Sequence, residues 1–307
     1  MRAFVFPGQG SQYPGMGKEL NEHFAEARAV FEEADDALGF RLSQLCFEGP
    51  EEELVLTENT QPALLATSVA AFRVLENRDF RPDFVAGHSL GEYSALVAAG
   101  AINLTDALRV VQQRGRFMQE AVPVGVGAMA AVIGLELAVV REICEQVAQG
   151  QVVAPANENS PGQVVIAGHR EAVDRASLEA KEKGARLVKA LQVSAPFHCL
   201  LMKPAEERLK PVLEMTDFRD LRFPLVNNSD AQRVDRAEDA RDGLISQVCA
   251  MVRWTEGVRL MVELGVDTFV EIGPGKVLSG LIRRTHRGAA VSNVENGRQV
   301  DQHVQAG

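Results

Sequence analysis

Residues 84–100 read FVAGHSLGEYSALVAAG. The apolar run before Gly87 predicts a short buried strand, and the alanine- and leucine-rich segment after Ser89 predicts a helix. Ser89 therefore lies at a strand-to-helix junction inside a GxSxG pattern, where glycines leave room for a tight turn and the serine hydroxyl is lifted above the sheet edge. Ser89 is either a nucleophile or the N-cap of the following helix, a position that serine often occupies.

The segments around this junction alternate short apolar runs with amphipathic stretches, which is typical of a parallel sheet flanked by helices. Upstream, the pattern predicts a strand over 2–6, helices within 17–38 and a buried helix over 62–76, with Pro62 at its first position. The last eleven residues, GRQVDQHVQAG, are predicted to be a frayed tail.

Between residues 126 and 195 the predicted order changes to βαββαβ, the order of a ferredoxin-like domain. A chain of 307 residues is long for a single core, since cores usually stop growing near about 250 to 300 residues. We therefore expect an α/β fold in which a small ferredoxin-like domain, 126–195, is inserted into a larger α/β-hydrolase-like domain with a parallel sheet. The larger domain consists of 1–125 and 196–307.

Composition and charge exclude several functional classes. The net charge of −10 argues against nucleic acid as a partner, because phosphate binding needs a basic surface. The four cysteines are scattered without CxxC pairs, which predicts neither a zinc site nor a disulfide framework. The start, MRAFVF, lacks the segments of a signal peptide, and no apolar run reaches the roughly 18 residues of a membrane span. We expect a cytoplasmic protein with no metal and no membrane contact.

A serine nucleophile requires a base, and His198 is the best-placed histidine. It lies in QVSAPFHCLLM, where the chain returns from the inserted domain to the larger one and a cleft is expected. The alternative is a structural histidine at a domain junction. Ser-His-Asp hydrolases place the acid between serine and histidine, but here that interval is almost wholly the inserted domain, whose Asp174 lies on a charged helix, and it offers no obvious third acid. A neutral acceptor, such as a main-chain carbonyl, would have to orient the imidazole.

Arg114 is the most informative charge. In TDALRVVQQRGRFMQEA, residues 105–121, it falls on the apolar face of the predicted helix. A buried guanidinium needs a partner, and its planar fork suits a carboxylate. That carboxylate belongs either to an internal Asp or Glu or to the substrate.

The loop after the first strand, FVFPGQGSQYPGMGKEL, does not fit a nucleotide-binding pattern. A dinucleotide fingerprint requires glycine where Tyr13 stands, and a phosphate-binding P-loop requires serine or threonine at Glu19. These mismatches weaken a nucleotide-binding module as the function. The loop is nevertheless expected at the carboxyl edge of the sheet, where Gln9 between two glycines brings backbone N–H groups close to a charged atom.

Eight segments resemble one family in order and spacing over nearly the whole chain: FVFPGQGSQ, TQPALLATSVA, AGHSLGEYSALVAAGAI, RGRFMQEAVP, GAMAAVIGL, NENSPGQVVIAGH, FHCLLMKPA and EIGPGKVLSGL. The family is the malonyl-CoA:acyl carrier protein transacylases of fatty acid synthesis. The resemblance implies transfer of malonyl from malonyl-CoA to the phosphopantetheine thiol of acyl carrier protein. The implied reaction is ping-pong, passes through a malonyl-Ser89 intermediate and uses no cofactor.

The resemblance also implies a role for each matching residue. Ser89 is the nucleophile, His198 the base, and the main-chain carbonyl of Gln247 orients the imidazole. Backbone N–H groups of Gln9 and Leu90 form the oxyanion hole. Arg114 is implied to pair with the malonyl carboxylate. The combination of Leu90 and Phe197 resembles the one found in malonyl-selective members of the family.

One alternative enzyme class and one question of docking remain open from the sequence. An esterase or thioesterase would use the same turn with water as acceptor, and it would give Arg114 no role. Acyl carrier proteins are acidic, so docking on this acidic chain requires a local basic rim. The two candidate clusters, each of which is otherwise a solvated face, are Lys181, Lys183, Arg186 and Lys189, and Arg283, Arg284 and Arg287. We expect a monomer.

Overall fold

The strands of the computed structural model, which describes residues 1–306, form two sheets. Numbered along the chain they are β1 Arg2–Phe6, β2 Phe84–Gly87, β3 Gly127–Ile133, β4 Val153–Ser160, β5 Gln163–His169, β6 Leu187–Ala190, β7 Leu225–Val226, β8 Arg233–Val234, β9 Thr268–Ile272 and β10 Ala290–Val294.

The helices surround these sheets. They are α1 Lys18–His23, α2 Ala25–Leu38, α3 Leu42–Glu48, α4 Glu51–Leu54, α5 Thr57–Glu76, α6 Leu90–Ala98, α7 Leu104–Glu120, α8 Leu137–Val147, α9 Arg170–Glu182, α10 Lys203–Met215, α11 Ala237–Gln247, α12 Trp254–Glu263, α13 Val277–Thr285 and α14 Gly297–Ala306. Within residues 1–306, no helix combines the length and apolar composition that a membrane crossing requires.

The larger sheet has the strand order β10-β9-β1-β2-β7-β8. Neighbouring strands from β10 to β7 pair in parallel, and β8 closes one edge antiparallel to β7. The central strand β1 is apolar on both faces and Ala3 to Phe6 are fully buried, as expected for a parallel strand covered by helices on each side. The sheet predicted from the alternating pattern is confirmed.

The smaller sheet has the order β4-β5-β3-β6, and every neighbouring pair is antiparallel. Helices α8 and α9 cover it with a separate apolar core that includes Val132, Ile143, Ile166 and Ala176. The predicted βαββαβ order of elements is confirmed. A backbone bridge also ties β4 to the larger part of the chain, because Val252 N–H donates to Ala156 O over 2.9 Å.

Two local predictions were wrong. Helix α5 begins at Thr57, so Pro62 lies inside the helix rather than at its first position. Proline removes one hydrogen bond there, but nearly every residue of α5 is buried, and packing maintains the helix. The supposed frayed tail forms α14, in which Val300 is fully buried and His303 packs edge-on against Phe80. The apolar face of this short segment is buried only when the folded chain supplies a surface for it to pack against.

Candidate active site

Ser89 lies in the sharp turn between β2 and α6. Its φ of 52° is in the left-handed region, which is uncommon for serine and frequent at functional turns. A Cβ added to Gly91 would lie 2.0 Å from Phe6 O, and one added to Gly87 would lie 1.9 Å from a backbone carbon of Gly91. Both positions therefore require glycine. Ser89 precedes α6, but its side chain makes no capping bond, so the capping alternative is wrong.

The Ser89 hydroxyl faces His198 instead. Ser89 Oγ lies 2.7 Å from His198 Nε2, and His198 Nδ1 lies 2.9 Å from the main-chain carbonyl of Gln247. A carbonyl only accepts, so Nδ1 carries the proton and Nε2 is free to accept the serine proton. Gln247 ends α11, where the last carbonyls have no partner within the helix. The Gln247 carbonyl is therefore the neutral acceptor that we expected, because the sequence offers no third acid.

The imidazole of His198 is held in its neutral form. The side chain is 4% exposed, and burial, followed by the positive charge of Arg114, lowers the pKa of His198 to about 3. Both effects disfavour the imidazolium. His198 is consequently ready to accept a proton at neutral pH.

Arg114 is buried, at 1% exposure, and projects from α7 toward Ser89. Its Nη1 donates to Gln61 Oε1 over 2.8 Å, and its Nη2 donates to Gln247 Oε1 over 2.9 Å and to Ser89 Oγ over 3.1 Å. None of its hydrogen-bond acceptors within residues 1–306 is a carboxylate, so the internal ion pair is wrong. A buried cation is left with neutral partners beside the reactive hydroxyl.

Three polar side chains complete this network, and the sequence singled out none of them. Asn228 Oδ1 accepts from Ser89 N–H over 2.6 Å, and Asn228 Nδ2 donates to Gly87 O over 2.7 Å. The Gln247 amide, beyond its predicted carbonyl, donates to Ser89 O over 3.1 Å and to Glu92 Oε2 over 2.9 Å. The third is Gln61 on α5. Only Asn228 left a signal, because it follows a strand at the sheet edge where Ser89 lies.

A cavity of about 190 Å³ opens onto Ser89. Its polar lining comprises Gln9, Gln61, His88, Ser89, Arg114, Asn157, Asn159 and His198, and its apolar lining comprises Leu90, Met118, Met129, Val165, Leu191, Val193 and Phe197. The structure thus brings Gln9, Leu90 and Phe197 to the same cavity as Ser89. In residues 1–306, the backbone N–H groups of Gln9 and Leu90 meet no hydrogen-bond acceptor.

The two basic clusters and the four cysteines are not among the residues that line this cavity. Both basic clusters are exposed, and one member, Arg284, donates to Gln163 Oε1 over 2.8 Å. All four cysteines are unpaired. Among residues 1–306, no group of three or more His, Cys, Asp and Glu side chains is arranged to hold a metal ion.

Comparison with known proteins gives consistent matches over nearly the full length of the chain. The model of the family described as "Acyl transferase domain" matches residues 3–301. The malonyl CoA-acyl carrier protein transacylase of Bacillus subtilis is 48% identical over 304 residues, 99% of this chain and 96% of the relative. The enzyme of the same name from Escherichia coli K12 is 51% identical over 283 residues, 92% of each chain.

Solved structures agree with these relatives. A malonyl-transacylase in complex with its type II PKS acyl-carrier protein superposes with a TM-score of 0.97 at 48% identity, covering 100% of this chain and 99% of that one. The malonyl CoA-acyl carrier protein transacylase from Coxiella burnetii gives 0.97 at 44% identity, covering 99% and 96%.

Proposed function

This chain belongs to the acyl transferase domain family, and on that premise we propose that it transfers malonyl from malonyl-CoA to the phosphopantetheine thiol of acyl carrier protein in fatty acid biosynthesis. The observation that carries the proposal is the Arg114 guanidinium, buried among neutral partners 3.1 Å from Ser89 Oγ. An acyl group that is esterified to Ser89 and ends in a carboxylate supplies the anion that this cation lacks.

The first half-reaction acylates the enzyme. His198 Nε2 takes the proton of Ser89 as Oγ attacks the thioester carbonyl of malonyl-CoA, and the 2.7 Å separation is already that of a hydrogen bond. The main-chain carbonyl of Gln247 stabilises the imidazolium that forms. The C–S bond then breaks, and the CoA thiolate takes the proton from His198. The product is a malonyl ester of Ser89.

The second half-reaction reverses these roles. The thiol of acyl carrier protein gives its proton to His198 and attacks the ester carbonyl, and Ser89 Oγ leaves with that proton. In both halves the carbonyl oxygen becomes negative. The N–H groups of Gln9 and Leu90 are its donors, since both are free and Leu90 begins α6, at the positive end of the helix dipole.

The guanidinium of Arg114 has donors to spare for the malonyl carboxylate. Each terminal nitrogen carries two N–H bonds. Gln61 takes one from Nη1 and Gln247 takes one from Nη2, so one remains on each nitrogen, and that of Nη2 already points to Ser89. A carboxylate that displaces the serine contact receives two parallel hydrogen bonds. This grip orients the acyl chain for attack.

The size and wall of the cavity favour a short acyl group. Its volume of about 190 Å³ is below the roughly 300 to 1,000 Å³ of sites for larger ligands. Phe197, at 9% exposure, forms part of the wall. A bulky ring there would crowd an α-methyl branch on an acyl group held between Ser89 and Arg114. We propose that Phe197 and Leu90 select malonyl over methylmalonyl.

The finer domain assignment is part of the same proposal. We assign 1–125 and 196–307 to an α/β-hydrolase-like domain and 126–195 to an inserted ferredoxin-like domain. The parallel strands with Ser89 at the carboxyl end of β2 support the first assignment. The order β4-β5-β3-β6 with two covering helices supports the second.

The cellular setting and the oligomeric state are part of the same proposal. Serine–histidine transfer is complete without a metal or cofactor, and we place it in the cytoplasm, carried out by a monomer. The acidic carrier protein requires a basic docking surface. Either the exposed cluster on the small domain or the exposed cluster at the end of α13 supplies it. Charge reversal at Lys189 and at Arg283, followed by carrier titration, distinguishes the two surfaces.

Mass spectrometry of the acylated enzyme tests the function. Brief incubation with malonyl-CoA should add one malonyl group to the peptide that carries Ser89, and Ser89→Ala should abolish the adduct. Ser94→Ala is the matched control, because Ser94 is a buried serine of α6, the helix that follows Ser89, and its hydroxyl has no hydrogen-bond partner within residues 1–306. Added acyl carrier protein should discharge the adduct to its thiol. Absence of the wild-type adduct, or its loss to water at the same rate without the carrier, would refute the transfer.

A further inference from the structure

Glu92 is a buried carboxyl that the proposed reaction does not use directly. It lies in α6 one turn after Ser89, is 0% exposed, and receives hydrogen bonds only from neutral groups of the described chain. Its Oε2 accepts from Asn228 N–H over 3.0 Å and from Gln247 Nε2 over 2.9 Å. Burial raises the pKa of Glu92 to about 7. Burying a carboxyl costs free energy of folding. The two groups that donate hydrogen bonds to Glu92 indicate its role.

The first donor is the Gln247 side chain, whose orientation decides what Arg114 meets. An amide has nearly the same shape when its oxygen and nitrogen are exchanged, so hydrogen-bond partners fix which atom lies where. Here Nε2 faces two acceptors, Glu92 Oε2 and Ser89 O, and Oε1 faces Arg114 Nη2. The exchanged amide would put N–H groups against the guanidinium and an oxygen against two oxygens.

The second donor connects Glu92 to the turn that carries the nucleophile. The residue that donates its backbone N–H to Glu92, Asn228, also holds Ser89 N–H and Gly87 O with its side chain. One oxygen of Glu92 thus links the turn to the side chain that positions the arginine. These contacts do not include the Ser89 hydroxyl or the His198 ring.

We propose that Glu92 is a positioning residue for acyl groups that carry a carboxylate: as a hydrogen-bond acceptor it fixes the Gln247 amide, and the amide oxygen then aims the Arg114 guanidinium at the acyl group on Ser89. This inference rests on the proposed function, because the carboxylate that Arg114 receives is that of malonyl. Acetyl lacks a carboxylate, so Glu92 affects malonyl transfer more than acetyl transfer.

Two substitutions separate the acceptor from the rest of the side chain. Glu92→Gln keeps an oxygen that accepts from both donors and should acylate with either substrate within about threefold of wild type. Glu92→Leu keeps the volume and removes the acceptor. A lost hydrogen bond to a charged group corresponds to a factor of about 10 to 150. We expect that loss in kcat/KM for malonyl-CoA, mostly as a higher KM, with less than about a threefold change for acetyl-CoA.

Ser89 acylation is followed by mass spectrometry with malonyl-CoA and, separately, acetyl-CoA, after circular dichroism has shown that each variant is folded. Equal losses of E92L with both substrates would identify a residue that supports the whole site and would overturn the proposal, as would unchanged malonyl kinetics. A defect in E92Q as large as that in E92L would show that charge, not the acceptor, matters, and would also overturn it.

Two further outcomes are decided by the same assay. If E92L does not fold, Glu92→Asp replaces it, because the shorter side chain withdraws the acceptor from Gln247; a selective malonyl loss supports the proposal and unchanged malonyl kinetics refutes it. If wild type forms no malonyl adduct, the proposed function fails first and this inference with it. If wild type forms the normal adduct and the Glu92 variants show unchanged malonyl kinetics, this inference alone is refuted.

Discussion

Replacing Arg114 by methionine removes the guanidinium while filling most of the buried space. In the folded protein the guanidinium is 1% exposed and contacts the neutral side chains of Gln61 and Gln247 and the hydroxyl of Ser89. In this variant the carboxylate of malonyl-CoA no longer has a guanidinium to bind. Acetyl-CoA, which has no distal carboxylate, loses only a contact near the nucleophile.

The expected magnitude follows from the number of hydrogen bonds. Arg114 has one N–H on each terminal nitrogen to offer a carboxylate, and a charge-assisted hydrogen bond contributes about 1.5 to 3 kcal/mol. Two such bonds correspond to about 3 to 6 kcal/mol, which is a loss of about 10² to 10⁴ in kcat/KM for malonyl-CoA. For acetyl-CoA only the single hydrogen bond from the Arg114 guanidinium to Ser89 Oγ is lost, which corresponds to a factor of about 10 to 150, so the loss is smaller than for malonyl-CoA by the contribution of one charge-assisted bond.

The assay is single-turnover acylation of Ser89 by each thioester, quantified by mass spectrometry. Arg116→Met is the matched control, because Arg116 is exposed on the same helix and pairs with Glu58 at the surface. It should acylate like wild type. Losses of equal size for malonyl-CoA and acetyl-CoA in R114M would refute the carboxylate clamp.

Three further predictions concern pH and packing. Because burial and the nearby guanidinium charge lower the pKa of His198 to about 3, malonylation should keep most of its rate at pH 5, and a stopped-flow pH profile that fell with an apparent pKa near 6.5 would contradict this. Burial raises the pKa of Glu92 to about 7 from 4.5, so its stabilising contribution is full below pH 4.5 and is lost as pH rises through 7. Denaturant melts of E92Q should show a pH dependence in that window that differs from wild type by about 3 kcal/mol, and parallel curves would argue against it. Gly91→Ala, whose Cβ would lie 2.0 Å from a carbonyl oxygen, should lower the free energy of unfolding by at least about 3 kcal/mol, whereas Gly280→Ala, with open space in a helix, should leave it within about 1 kcal/mol of wild type; equal melts would refute the steric reasoning.

Much of the fold was predictable because local periodicity carries it. The strand at 84–87 with its helix after Ser89, and the βαββαβ segment, were recognised from apolar runs and turn residues alone. The start of α5 and the final helix α14 were not. Their burial comes from partners distant in the chain, such as Phe80 against His303, and no local pattern records such partners.

The site divides in the same way. Ser89, His198 and Arg114 were found because each breaks its local context: a serine in a glycine turn, a histidine at a domain junction, a cation on an apolar face. Glu92 and Asn228 do not break theirs. A glutamate in a helix and an asparagine after a strand are ordinary until the fold places them on one hydrogen-bond network.

The sequence by itself determined the order of the elements, the turn that presents Ser89 and the burial of Arg114, because backbone preferences and hydrophobic periodicity act over a few residues. Only the tertiary structure decided which carbonyl orients His198, that no carboxylate among residues 1–306 accepts a hydrogen bond from Arg114, and that Glu92 joins the nucleophile turn to the arginine. Those relations depend on hydrogen bonds between residues 49 to 155 positions apart, and their distances and directions exist only once the sheets and helices have packed.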